Sequence, residues 1–109
     1  MSHRPRMYIA GPMAGYEGNN FEAFSAACKH LRDVHPQVEF VSPHEIEHAN
    51  PEDYCAVMKA DFRVLLTCDS IVLLDEWHQS KGAMQELSLA RWSGMKVFRY
   101  NTTEGLTRA

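Results

Sequence analysis

The sequence contains no run of Lys or Arg, no apolar stretch approaching the length of a membrane span, and no cysteine pair at zinc-ribbon or redox spacing. Each absence closes off a class of function. Lys and Arg number 11 against 14 Asp and Glu, a formal net charge of −3, so nothing favours a nucleic-acid polymer or an anionic membrane as partner. A small anionic ligand stays compatible, because it needs only a local pocket. The strongest apolar run, residues 71–74, is flanked by Asp69 and Asp75 and falls far short of the roughly 20 residues of a spanning helix. Cys28, Cys55 and Cys68 are odd in number and widely spaced, which predicts reduced thiols and a cytoplasmic setting. The amino-terminal MSHRPRMYIAG has two arginines but only a short apolar segment and no small-residue cleavage pattern, so no secretory leader is expected. Neither a G-x-G-x-x-G spacing nor a P-loop lysine is present, and no cofactor is implied.

What is there suits a single domain over residues 1–109, with a core at 7–100 and a polar tail at 101–109. Hydrophobic residues make up 45% of the chain, enough for a core that needs neither disulfide nor structural metal. Residues 7–10 read as a buried strand ending in the loop Gly11-Pro12-Met13-Ala14-Gly15. A helix capped by Asn19 or Asn20 follows, with Phe21, Phe24, Ala27, Cys28 and Leu31 at helical spacing until Pro36. Residues 38–42 form a second strand and residues 44–49 a loop or single turn. Asn50-Pro51-Glu52-Asp53 is a helix start, with asparagine as cap, proline in the first turn and two acids facing the dipole. Tyr54, Val57, Met58, Val64 and Leu65 form that helix's stripe, running to about Thr67. Residues 70–74 are continuously apolar, as in a strand covered on both faces of a parallel sheet. A third helix carries Ala83, Met84, Leu87, Ala90 and Arg91 and closes at Gly94. A last strand covers 96–100.

Strands alternate with helices, so the expected fold is an α/β, doubly wound, Rossmann or flavodoxin-like domain with a parallel sheet of four to five strands. Ligands in such sheets bind outside the carboxyl ends of the strands. The loops at that edge gather most of the unusual residues.

Asp61 falls inside the apolar stripe of the second helix. A carboxylate there must be hydrogen-bonded, paired or protonated, and such acids are enriched at active sites. The competing reading pairs it with Arg63 or Lys59 in solvent. Ser80-x-Gly82-Ala83-x-x-Glu86 puts a second carboxylate near a helix start, where the dipole favours the charged form of a nucleophile and Ser80 with free N–H groups suits a phosphate or hydroxyl. Glutamate near a helix start is also common for stability alone. The two glycines of the first loop suit close approach of a ligand. Trp77 and His78 lie at the same edge, where the indole either stacks on a base or simply covers the sheet end. His44-Glu45-Ile46-Glu47-His48 matches the H-E-x-x-H of zinc proteases, but Pro43 and Asn50-Pro51 leave room for little more than one turn, so no metal site is expected.

Together, Tyr8-Ile9-Ala10-Gly11-Pro12-Met13, Asp61, Cys68-Asp69-Ser70-Ile71-Val72 and Ser80-x-Gly82-Ala83-x-x-Glu86-Leu87-x-x-Ala90 resemble the nucleoside 2-deoxyribosyltransferase superfamily. Its relatives include 2'-deoxynucleoside 5'-monophosphate N-glycosidases and a phage and bacterial branch of undefined function. The Gly-Pro-Met start and Glu76-Trp77 look closest to that branch. The resemblance spans about residues 7–100. It implies that Glu86 is the nucleophile toward C1' of a deoxyribosyl group, that Asp61 protonates or positions the leaving base, and that Tyr8 orients the nucleophile or the sugar. Gly11, Pro12, Met13, Trp77, Ser80, Gly82 and Ala83 would contact the substrate. It further implies a nucleoside or nucleotide as small-molecule partner and a homodimer or larger homo-oligomer with subunits completing each other's sites.

The chain has Pro12 and Ala14 where the monophosphate enzymes carry a serine and an arginine, yet keeps Ser80. Nucleoside and monophosphate both stay open, with Ser80, Lys81 or a neighbouring subunit's Arg99 as candidate anion contacts. Base preference, and hydrolase against transferase, also stay open. The alternative from another class is a nucleotide-binding module that senses or sequesters without turnover.

Overall fold

A computed structural model describes residues 4–109; the first three residues of the segment examined for a leader lie outside it. The strands are β1 (Arg6–Ala10), β2 (Glu39–Val41), β3 (Ser70–Leu73), β4 (Lys96–Asn101) and β5 (Gly105–Arg108), and the helices are α1 (Phe21–Val34), α2 (Tyr54–Leu65) and α3 (Lys81–Trp92). They form one five-stranded sheet in the order β2-β1-β3-β4-β5. The first four strands are parallel, with Tyr8 opposite Ile71 and Ile71 opposite Val97. This is the α/β architecture expected of alternating strands and helices, and its order reverses between β1 and β3, where open sheets of this kind bind ligands.

Period-2 alternation divides the core. Tyr8, Ala10, Ile71 and Leu73 face α2 and α3 and pack with Leu65, Ala83, Leu87 and Ala90, whereas Ile9, Val72 and Leu74 face α1 and pack with Phe24, Ala27, Cys28 and Leu31. Tyr8 is therefore committed to the face that α3 covers. All four residues of β3 are buried, as its unbroken apolar run requires.

Several boundaries differ from the sequence expectation. The presumed tail at 101–109 contains β5, paired antiparallel to β4 with Tyr100 opposite Leu106, so the sheet is not wholly parallel. Asn101 Oδ1 accepts from the N–H groups of Thr103 and Glu104, and Gly105 turns at φ 69°, which folds the chain back. Asn20 stands at the start of α1, but it is left-handed at φ 63° and its amide donates to Pro12 O at 2.9 Å instead of capping. Phe21, placed on the buried stripe, is 53% exposed: it is the first residue of the helix, and its ring meets His44 edge-on. The second helix begins at Tyr54, with Asp53 as the cap accepting from Ala56 N at 3.1 Å; Asn50 and Pro51 belong to the preceding turn. α3 ends as expected at Gly94, φ 76°, where Met95 N bonds Ala90 O and Gly94 N bonds Arg91 O in a Schellman arrangement.

The β1 and β3 exits approach each other closely. A Cβ on Gly11 would lie 3.0 Å from the Cβ of buried Leu74, so the glycine here serves chain-to-chain packing. Gly11→Ala is expected to destabilise the fold by about 1–2 kcal/mol through overpacking, read as a lower urea midpoint with unchanged m.

Candidate active site

Beside these exits, at the carboxyl edge of the sheet, lies a pocket of about 280 Å³ walled by the first loop, the start of α2 and the start of α3. Glu86 reaches it because α3 buries Ala83, Glu86, Leu87 and Ala90 on one face, the spacing of an inward helical stripe. The carboxyl is only 4% exposed. Tyr8, fully buried on β1, donates its hydroxyl proton to Glu86 Oε2. Burial is the main force on Glu86, and neighbouring Asp61 adds to it; together they outweigh the Tyr8 bond and raise the carboxyl pKa to about 8. The expectation that the helix dipole keeps Glu86 ionised is thus corrected. Glu86 stands six residues beyond the cap Ser80, in the second turn, past the short reach of the terminal dipole. The Tyr8 phenol is likewise pushed well up, by burial first and then by Glu86.

Asp61 shares the buried face of α2 with Met58 and Leu65. It is 4% exposed and pairs with His48, Nε2 to Oδ1 at 2.7 Å, so a solvent pairing with Arg63 or Lys59 is overturned. Burial raises its pKa, with His48 pulling the other way. His48 reaches it from the loop that follows the single 3-10 turn at Pro43–Glu45. The rest of the H-E-x-x-H segment disperses. His44 packs its ring on Phe21 and Phe24 and its Nε2 lies 3.0 Å from Asn19 O. Glu45 closes a capping box with Ser42 and pairs with Arg32 at 2.8 Å.

Of the residues singled out from sequence, Glu86, Asp61, Gly11, Met13, Ser80, Gly82 and Ala83 line this pocket, and Tyr8 stands behind Glu86. Ser80 Oγ is the α3 cap, accepting from Ala83 N at 3.2 Å. Pro12 and Trp77 are not in the lining. Pro12 is buried with its carbonyl held by Asn20, and Trp77 packs on the hydrophobic cluster beneath the sheet end. Sequence reasoning missed Tyr54, Glu52 and the pairing role of His48. Tyr54 was assigned to the core stripe, but as the first residue of α2 it is 47% exposed, lines the pocket and donates to Gln85 Oε1 at 2.9 Å. Its position at a helix start on the ligand edge was the available signal.

A larger hollow of about 520 Å³ runs along edge strand β2 beside Arg4, Arg6 and Arg32. Arg6 is engaged with Glu39 at 3.1 Å and Arg32 with Glu45, and none of its lining residues is a buried titratable group. The buried carboxyls line the smaller pocket and not this hollow.

The sequence model of the family described as "Domain of unknown function (DUF4406)" matches residues 5–99. The chain is similar to a solved structure titled "Crystal structure of conserved protein from Enterococcus faecalis V583", with 20% identity and a TM-score of 0.74, over 93% of this chain and 66% of that one. The chain thus spans just under two thirds of that protein, and at this identity the likeness concerns the fold. No curated protein matches.

Proposed function

The chain belongs to the DUF4406 family, and from that footing we propose that it cleaves the N-glycosidic bond of a deoxynucleoside or deoxynucleoside monophosphate, by hydrolysis or by transfer of the deoxyribosyl group. The observation that carries this reading is the pair of buried carboxyls, Asp61 and Glu86, facing one pocket with different partners, His48 and Tyr8. Retaining glycosyl transfer needs two such groups held apart in their protonation by environment. The resemblance of the motif residues to deoxyribosyltransferases supports the same assignment.

In this mechanism ionised Glu86 attacks C1' as the C1'–N bond breaks and its electron pair leaves with the base. Asp61, steadied by His48, protonates or positions that base. Water or a second base then attacks C1' and releases Glu86. Tyr8 holds Oε2 so that the other carboxylate oxygen meets the sugar. Tyr54 lines the pocket from the start of α2. Subunits completing each other's sites remain part of the proposal.

The test is chromatographic detection of free base from a panel of deoxynucleosides and their monophosphates, with and without a second base. Release by the wild type that is lost in Glu86→Ala supports the reading. Tight binding without release from any substrate would favour a sensing or sequestering module.

Tyr8 offers a narrower check. Its hydrogen bond lowers the Glu86 pKa, so Tyr8→Phe is expected to move the rise of kcat/KM to higher pH and to cut activity at pH 7 by about tenfold. Recovery toward wild-type rates at higher pH separates this effect from a loss of fold. The charged and titratable groups facing Glu86 are Tyr8 on β1, Asp61 on α2 and Tyr54 at the start of α2.

A further inference from the structure

Among the described residues, those other than glycine with a left-handed backbone are Asn19, Asn20 and Glu76. Asparagine adopts that conformation readily, and glutamate does not. Glu76 stands third in the turn 74–77, closed by Trp77 N on Leu74 O at 3.2 Å, and has φ 65° where glycine or asparagine is usual. A local rule broken in this way asks what the side chain gains by it. Glu76 Oε1 accepts from the Tyr16 hydroxyl at 3.0 Å, across 60 residues of chain.

That bond joins the loops behind two walls of the active pocket, while neither Tyr16 nor Glu76 lines the pocket itself. The loop after β1 supplies Met13, Ala14 and Asn19, and the loop after β3 leads through a 3-10 turn at Trp77–Gln79 to Ser80, Gly82 and Glu86. The roots of the first loop are held by other means. A Cβ on Gly11 would lie 3.0 Å from that of Leu74, the Asn20 amide donates to Pro12 O, and His44 Nε2 donates to Asn19 O at 3.0 Å. Between these anchors, residues 14–18 form a strap with few contacts. Ala14, Gly15, Glu17 and Gly18 are exposed, and a Cβ on either glycine would meet nothing within 4 Å. Tyr16 is the strap's partly buried residue, and among the described residues its hydroxyl makes the strap's one side-chain hydrogen bond.

We propose that Tyr16 and Glu76 are positioning residues, whose bond latches the strap to the loop after β3 and so fixes the pocket wall that Ala14 and Asn19 form; the kinetic consequence rests on the glycosidase reading. A segment so poor in contacts opens locally, without unfolding of the domain. A hydroxyl-to-carboxylate bond weights the closed state about five- to tenfold. For a strap near balance, losing it changes the open and closed fractions each by about threefold. Substrate that needs the closed wall binds in proportion to the closed fraction, and once bound it favours closure itself. The latch therefore acts on KM and leaves kcat in place.

Solvent-exchange NMR on the full chain reads the strap directly, at the amides of positions 16 and 19, which bond Met13 O and Tyr16 O. Tyr16→Phe and Glu76→Gly are each expected to quicken that exchange about threefold, and the double variant no further. Glu76→Gln, which keeps an acceptor for the hydroxyl, is expected to stay closer to the wild-type rate than to that of Glu76→Gly. Glycine also relieves the left-handed backbone at position 76. Glu76→Gly should therefore loosen the strap without lowering the urea midpoint, which separates the latch from a general loss of fold. In base release, Tyr16→Phe is expected to raise KM about threefold with kcat held. Unchanged exchange in either single variant, effects that add in the double variant, or a fall in kcat at constant KM overturns the proposal. Base release by the wild type with none of these effects sinks the latch and leaves the glycosidase reading standing. If the wild type releases no base from any substrate, that reading falls, and the exchange rates alone decide the latch.

Discussion

Glu86→Gln is expected to stabilise the protein, and by more as the pH rises. The carboxyl pKa is raised from 4.5 to about 8 in the fold, so between those values the native state holds a proton that the unfolded chain has lost. Stability that is full below pH 4.5 is then progressively lost up to about pH 8. One proton corresponds to about 1.4 kcal/mol per pH unit, a penalty of about 2 kcal/mol at pH 6 and about 4 kcal/mol at pH 8. Glutamine mimics the protonated carboxyl, keeps an acceptor for the Tyr8 hydroxyl and cannot ionise. Urea denaturation of both proteins at acidic and alkaline pH should show curves that nearly coincide near pH 4 and diverge above it. Parallel curves across the range would mean that burial does not govern this carboxyl.

The same substitution is expected to abolish turnover. Glutamine cannot serve as the nucleophile, and removing a covalent catalyst costs about 10³-fold or more in kcat. Only about a tenth of wild-type Glu86 is ionised at pH 7 in the empty pocket, so wild-type kcat/KM should climb toward a plateau above pH 8. Single-turnover base release across that range, for wild type and Glu86→Gln, checks both points. A variant more stable yet inactive would identify Glu86 as a group kept at the expense of stability. A variant that released base at the wild-type rate would remove Glu86 from the chemistry altogether.

Much of this arrangement is legible without coordinates. Phe24, Ala27, Cys28 and Leu31 mark α1 by spacing, the apolar run after Asp69 marks β3, and Gly94 marks the end of α3. Asp61 and Glu86 stand out because carboxylates on buried helical faces violate the pattern around them. The misses have local causes. Tyr54 fits an apolar stripe as well as a pocket wall, and only the position of the helix start separates the two. Trp77 sits at the ligand edge in sequence, but its ring turns onto the core cluster. The strand β5 was hidden because Leu106 contributes the one large apolar side chain of a short edge element, and its pairing comes from β4.

The sequence by itself determined the alternation of strands and helices, the faces they bury, and which carboxylates required an explanation. These are properties of spacing along the chain, set by the periods of strand and helix. Only the tertiary structure decided the rest: that Tyr8 meets Glu86 across 78 residues, that His48 and no lysine or arginine holds Asp61, and that the pocket wall carries three acids and no Lys, Arg or His. The charge state of Glu86 belongs to that second group. A helix start argues for ionisation, but Glu86 stands past the reach of the terminal dipole, and desolvation, set by what the fold stacks above the side chain, raises its pKa.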